Sequence, residues 1–155
     1  MGLVSDVPDP DELLAALGFD ETESVLTRRQ AEVLALRERD VPQRAIADDL
    51  GTSRANVSSV EASARSNVER AHETVAFAEA LRAPVRVAVD AGTDLYDVPN
   101  RVFSACDEAG VKVNRTAPEL MKLVGDAAGD AVVGREVRRD LVVSVTSDGQ
   151  VRVRT

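Results

Sequence analysis

The sequence predicts an α+β protein: an N-terminal helix-turn-helix whose last helix runs on without a break, then a small C-terminal α/β domain of order β-α-β-α-β-β-β with a mixed sheet. Three observations predict it. Between Leu26 and Ala64, two short apolar-periodic segments lead through Gly51 into a third. From Arg54 to Arg82 there is neither Pro nor Gly. After Pro84 the apolar period shortens from helical to alternating, with helical stretches between the alternating ones.

Taken in order, residues 1–10 hold Pro8, Pro10 and acids and read as a loose tail. Asp11 is placed to cap a short helix through Leu17, closed by Gly18. Thr27 is a good N-cap for the next helix, with Gln30 completing a capping box and Leu26 placed to staple onto Ala31. Val33, Leu34 and Leu36 give this helix its apolar surface, and it should end near Asp40. Pro42 opens a short second helix near its first position, with Ile46 and Leu50 one turn apart and Ala47 small enough for a close crossing. Gly51 stands where the turn needs positive φ, and Ser53 is the better candidate than Thr52 to cap the long helix beyond it.

The uninterrupted run from Arg54 to about Arg82 would span about 43 Å as a helix, longer than a small globular unit buries. Ala64, Val68, Ala71, Val75 and Ala78 follow a 4-3-4-3 rhythm, the spacing of a coiled-coil seam. That seam is made of small residues. It suits close pairing of two helices, and its competing use is packing against the chain's own C-terminal sheet.

Beyond Pro84, Val85, Val87 and Val89 alternate with Arg86 and Ala88 as a strand, and Pro99 opens a helix that ends at Gly110. Val111–Val113 read as a short strand. Thr116, Pro118 and Glu119 start a helix that runs to about Ala128, with Gly129 as its stop. Ala131–Val137, Leu141–Thr146 and Val151–Arg154 are the remaining strand candidates, with a hairpin turn at 147–150. The expected division is an acidic extension over 1–25, a helix-turn-helix domain over 26–64, a linker or dimerisation helix over 65–83 and an α/β domain over 84–155.

The formal charge is -8, but its placement matters more than its sum. Residues 1–26 carry seven acids and no base, residues 27–82 carry nine of each sign, and residues 83–155 carry eleven acids against ten bases. The motif region is therefore neutral, and the net value does not exclude a polyanionic partner. Only Lys112 and Lys122 are lysines. Excess acid with scarce Lys and few aromatics suits a cytoplasm of very high salt, although a GC-rich genome gives the same bias toward Arg. Cys106 stands alone, so an intrachain disulfide is ruled out. No apolar run approaches the ~20 residues that cross a bilayer, and Met1–Val4 is followed by Asp6 with no basic stretch. A cytoplasmic protein without a membrane association is expected.

On a helix beginning at Arg54, Val57, Val60 and Ala64 share the side that packs on Ile46, Ala47 and Leu50. The opposite side presents Arg54, Ala55, Ser58, Ser59 and Ala62, with Asn56 at its margin. A major groove admits one such helix. Arg54 suits a guanine edge or a phosphate, Asn56 suits adenine, Ser58 and Ser59 are short donors, and the Ala55 methyl suits a thymine methyl. Gln43, Arg44, Arg28 and Arg29 are phosphate candidates, the first two helped by free N–H groups at the start of their helix. Sequence-specific binding of double-stranded DNA is the expectation. Its rival is an interaction or dimerisation module whose helix-turn-helix no longer binds DNA, with Ser and Ala forming ordinary solvated surface.

Leu26–Arg29, Glu32–Leu34, Ile46–Leu50 and above all Gly51–Ala71 (GTSRANVSSVEASARSNVERA) resemble the archaeal Tfx family of transcriptional regulators. The likeness continues through Ala91–Asn100 and Thr116–Leu120, so it covers nearly all of the chain outside the acidic N-terminus. The front part is also similar to the wider helix-turn-helix class that includes sigma-factor region 4 and the LuxR group. The resemblance implies a promoter-region DNA binder with an appended C-terminal domain, and it carries the helix-turn-helix signature onto Gln43, Arg44, Ser53, Arg54, Asn56 and Ser59. One departure stands out: Asp40, Asp48 and Asp49 surround the supporting helix and would repel phosphates in low salt.

One recognition helix covers about a half-site, so a homodimer paired through the Ala64–Ala78 seam is expected. In the C-terminal domain, Asp90, Gly92, Thr93 and Asp94 lie just beyond a strand and before a helix, where α/β sheets often hold ligands. A small-molecule effector there is one reading and plain turn formation the other. His72 is alone on its helix, no zinc cluster can be assembled, and no nucleophile, base and orienting partner emerge together. Neither an enzyme nor a cofactor is expected.

Overall fold

The computed structural model describes residues 7–155. The tail expected over residues 1–10 therefore lies mostly outside the described residues. The rest of the chain falls into two compact units, divided between Thr74 and Val75.

The first unit holds helices α1 (Pro10–Ala16), α2 (Arg28–Arg37), α3 (Gln43–Leu50) and the front of α4 (Arg54–Arg82). The short first helix starts earlier than expected. Pro10 pre-sets its first turn and Asp9, not Asp11, is the cap, accepting from the Asp11 N–H at 2.9 Å. Leu14 of α1 is buried with Ala31 and Ala35 of α2, so this segment packs on the helix-turn-helix. The predicted capping box of α2 is present in both halves, Thr27 N–H to Gln30 at 3.0 Å and Gln30 N–H to Thr27 Oγ1 at 3.2 Å.

Helix α2 ends at Arg37, short of the expected Asp40. The Val41 N–H folds back to the Leu36 carbonyl, and Asp40 takes the left-handed conformation, φ 59°, that a short polar side chain tolerates. Pro42 is the N-cap of α3, one position earlier than expected. Gly51 closes α3 with φ 67°, as its place in the sequence predicts. Val33, Leu36, Val41, Ile46, Ala47 and Val57 form the core of the unit.

The second unit contains the back of α4, β1 (Val85–Val89), α5 (Val98–Ala109), α6 (Ala117–Ala128), β2 (Val132–Val133), β3 (Glu136–Val137), β4 (Leu141–Val145) and β5 (Val151–Arg154). The class is α+β, as predicted, but the mixed sheet is not found. The main sheet has order β1-β4-β5 and is antiparallel throughout, and β2 and β3 form a separate antiparallel ladder. The reason lies at 111–113, which is unpaired: Val111 and Val113 rest against the core without joining a ladder. With no strand between them, α5 and α6 follow one another directly, and β1 meets β4 antiparallel. The predicted strand Ala131–Val137 is split by Gly134, φ 62°, into the β2–β3 hairpin.

Alternation does the packing. Val85, Val87 and Val89 of β1 and Leu141, Val143 and Val145 of β4 are buried with Val98, Val102, Cys106, Leu120 and Val124 of the helices. Each such side chain contributes roughly 1.5–3 kcal/mol on leaving water.

The β4–β5 turn depends on one residue. Gly149 has φ 86°, and a Cβ there would stand 2.2 Å from the Lys112 carbonyl oxygen. Gly134 also has positive φ but faces open space. Gly134→Ala should cost roughly the 1–2 kcal/mol of a left-handed residue. Gly149→Ala adds a clash with main chain and should destabilise measurably more in urea unfolding.

Candidate nucleic-acid interface

The turn between α3 and α4 sets up the exposed surface. Ser53 caps α4: its Oγ accepts from the Asn56 N–H at 3.1 Å, and its carbonyl accepts from the Val57 N–H. Thr52 Oγ1 accepts from Asn56 Nδ2 at 2.9 Å, so the Asn56 amide is held rather than free to rotate. Val57 and Ala64 are buried, and Val60 packs on the same core. Arg54, Ala55, Asn56, Ser58, Ser59 and Ala62 are exposed together on the other side. The face expected from helical periodicity is therefore open.

The basic candidates differ in how they are held. Arg44 and Arg54 are exposed and, among the described residues, in no ion pair. Arg28 pairs with Asp11 at 2.7 Å and Glu32 at 3.5 Å, and Arg29 with Glu32 at 3.3 Å. Gln43 is half-buried, and its amide donates to Glu61 Oε2 at 2.7 Å. Ser53 spends its Oγ lone pair on the cap and keeps its hydroxyl hydrogen.

Glu61 is the residue that sequence reasoning missed. It lies on α4 among Val57 and Ala64, one turn along an apolar stripe, and is only 7% exposed. Its carboxylate accepts from Gln43 of α3, from Arg37 Nε of α2 at 3.0 Å, and from Arg65 Nη2 of α4 at 3.0 Å. Arg37 also donates to the Val41 carbonyl at 3.0 Å. Burial by itself would raise the carboxyl's pKa, but hydrogen bonds from Gln43, Arg37 and Arg65 outweigh it and hold the value at about 2. A second tie joins Asn67 of α4 to Gln30 of α2 at 3.3 Å. The signal was present in the sequence: a lone acid at a core position, with Arg65 four residues on.

The seam residues are placed unequally. Ala64 is fully buried inside the first unit and has no surface to offer a partner, so it drops out of the expected interface. Val68, with Leu34, lines a small apolar groove between α2 and α4. Val75 is 58% exposed, and Ala71 and Ala78 are half-buried. In the second unit, Glu79 and Phe77 meet Arg152 and Arg154 of β5, at 3.0 and 5.6 Å. Val75 lies one turn before Glu79 on the same side of the helix, beside that contact.

The candidate ligand loop is closed by its own contacts. The Asp94 carboxylate accepts from Arg135 Nη2 at 2.6 Å and from the Tyr96 N–H at 2.9 Å, and Arg135 stacks over the Tyr96 ring at 4.1 Å. Arg135 first, and the Tyr96 N–H second, lower the Asp94 pKa. The Gly92 N–H donates to the Val137 carbonyl, and the Thr93 N–H to the Asp90 carbonyl. Among the described residues no His, Cys, Asp and Glu group is arranged to hold a metal ion, and no helix is long and apolar enough to cross a membrane.

The architecture is thus a four-helix unit with an open face on its last helix, followed in the chain by an antiparallel α/β unit. The family model described as the C-terminal part of the DNA-binding protein Tfx matches residues 71–153. A protein of Haloarcula marismortui, named as a candidate transcriptional regulatory protein, is 60% identical over 94% of this chain and 92% of its own. The DNA-binding protein Tfx of Methanothermobacter thermautotrophicus is 35% identical, over 83% of this chain and 93% of its own. A candidate transcriptional regulatory protein of Methanocaldococcus jannaschii is 34% identical over 84% and 96%. The chain belongs to the Tfx family.

Glu61 yields a pH prediction. Its folded pKa of about 2 lies below the ordinary 4.5, so its stabilisation is complete above pH 4.5 and lost as the pH falls toward 2. Glu61→Ala strands Arg37 and Gln43 and should cost about 3 kcal/mol at neutral pH. The variant should also show a flatter loss of stability between pH 4.5 and 2, read by urea unfolding under circular dichroism.

Proposed function

We propose that this protein is a transcriptional regulator that binds double-stranded DNA sequence-specifically as a homodimer, with residues 53–64 of α4 entering the major groove. The observation that carries the reading is the open face of Arg54, Ala55, Asn56, Ser58 and Ser59 on a helix whose far side is locked by Glu61. The name DNA-binding protein Tfx, borne by a relative that matches over most of the chain, supports it.

The chemistry follows from the geometry. Thr52 holds one amide hydrogen of Asn56, which leaves the other hydrogen and the carbonyl oxygen for N7 and N6 of adenine. Arg54 reaches a guanine edge or a phosphate. Ser58 and Ser59 donate at short range, and Ala55 meets a thymine methyl. Arg44 neutralises phosphate, and Arg28 and Arg29 do so by leaving their surface ion pairs, which are weak in water. Gln43 serves the interface through Glu61, by fixing α3 to α4.

Asp48 and Asp49, both exposed on α3, make low salt unfavourable. The Haloarcula relative comes from a halophilic archaeon, which agrees with the acid-rich composition. At molar salt counterion release drives little binding. Base edges and shape then carry the specificity.

A second copy completes the site through Val75 and its seam neighbours, since one helix reads only a half-site. The rival reading, a dimerisation module with a silent helix-turn-helix, finds no support within the first unit, where among the described residues nothing covers the α4 face.

Selection from a random duplex pool in high-salt buffer should enrich a two-fold motif. Against it, Asn56→Ala should weaken binding by about 1–3 kcal/mol and relax one base position in each half. No enriched motif at any salt concentration would favour the module. The slope of log K against log salt should stay below about eight counterions. Val75→Glu should give a folded monomer in sedimentation.

A further inference from the structure

We infer that the C-terminal unit carries a binding site for a small hydroxylated organic anion, lying not at the Asp90–Asp94 loop but along the outer edge of β5. A cavity of about 440 Å³ lies there, lined by Asn114 and Arg115 ahead of α6, Leu123 of α6, and Gln150, Val151 and Arg152 of the β4–β5 hairpin. That volume suits a small metabolite.

The lining offers donors from both main chain and side chain. The Thr146 N–H donates to the Gln150 carbonyl. Antiparallel alternation then puts the next hydrogen-bonded pairs at Ser144↔Arg152 and Val142↔Arg154. The main-chain groups of Val151 and Val153 consequently point away from β4, and β5 is the edge of the sheet. Arg115 is exposed and makes no ion pair among the described residues, and the Glu119 carboxylate that caps α6 lies within its electrostatic reach. Arg152 is oriented by Glu79 at 3.0 Å and by the Gln150 side-chain oxygen at 3.2 Å.

The Arg115 guanidinium and the outward Val151 N–H favour a carboxylate or phosphate, while the Arg152 guanidinium stays with Glu79. Asp148 also lines the cavity and accepts from the Thr146 hydroxyl. Its charge disfavours a bare anion and supplies an acceptor for a hydroxyl on the ligand. Leu123 gives the carbon skeleton an apolar wall. The turn is closed by its own bond from the Gly149 N–H to the Thr146 carbonyl, and Gly149 approaches the Lys112 carbonyl closely. This site stands whether or not α4 enters DNA.

The test is a titration of the ¹⁵N-labelled full chain with citrate, with 3-phosphoglycerate and with inorganic phosphate, in the buffer in which it is folded. One or both organic anions should give saturable shifts centred on Arg115, Gln150, Val151 and Arg152. Arg115→Ala should weaken that binding about tenfold or more, and Arg101→Ala, an exposed cation on α5, should leave it unchanged. Absence of saturation by both organic anions, equal binding by inorganic phosphate, or insensitivity to Arg115→Ala would overturn the assignment.

Discussion

A buried carboxylate organises the N-terminal unit. Glu61 takes hydrogen bonds from α2, α3 and α4 at once, and three-helix cores this small have few other devices that fix angles. Apolar packing of Val33, Leu36, Ile46 and Val57 holds the helices together, but packing alone tolerates sliding and rotation. Directional bonds to one acid do not. The orientation of the exposed face of α4 follows from the position of Glu61 on its opposite side. Charge is needed for this, since a carboxylate accepts from several donors where a neutral side chain accepts from fewer.

Electrostatics elsewhere follows a different rule. Most ion pairs are exposed, such as Lys122–Asp126 and Arg139–Asp130, and contribute little to stability in water. Molar salt screens them further, because the screening length shrinks to about 3 Å. Buried Glu61 is sheltered from that screening. The arrangement concentrates salt-resistant electrostatics beneath the exposed face of α4 and leaves salt-sensitive charge on the exterior.

Much of this was legible in the sequence. Thr27–Gln30 and Thr116–Glu119 announce their helices because a capping box is a local device, complete within four residues. Gly51 announces the turn because only positive φ fits there. The exposed face of α4 follows from period alone. Sheet direction was not legible, since Val111–Val113 has the pattern of a strand and only tertiary pairing decides whether a ladder forms. The Asp90–Asp94 loop looked available because its partner Arg135 lies 41 residues away along the chain from Asp94. The Glu61 network was legible only in part: Arg65 stands one turn on along α4, but Arg37 and Gln43 sit on other helices.

The most direct measurement is a map of backbone amide shifts in the ¹⁵N-labelled protein on adding a duplex enriched from a random pool. If α4 reads the groove, the largest changes fall on residues 52–62 and at the start of α3, while the Glu61 network keeps its free-state shifts. Changes centred on the C-terminal unit, with the amides after Gly51 unmoved, would contradict the account.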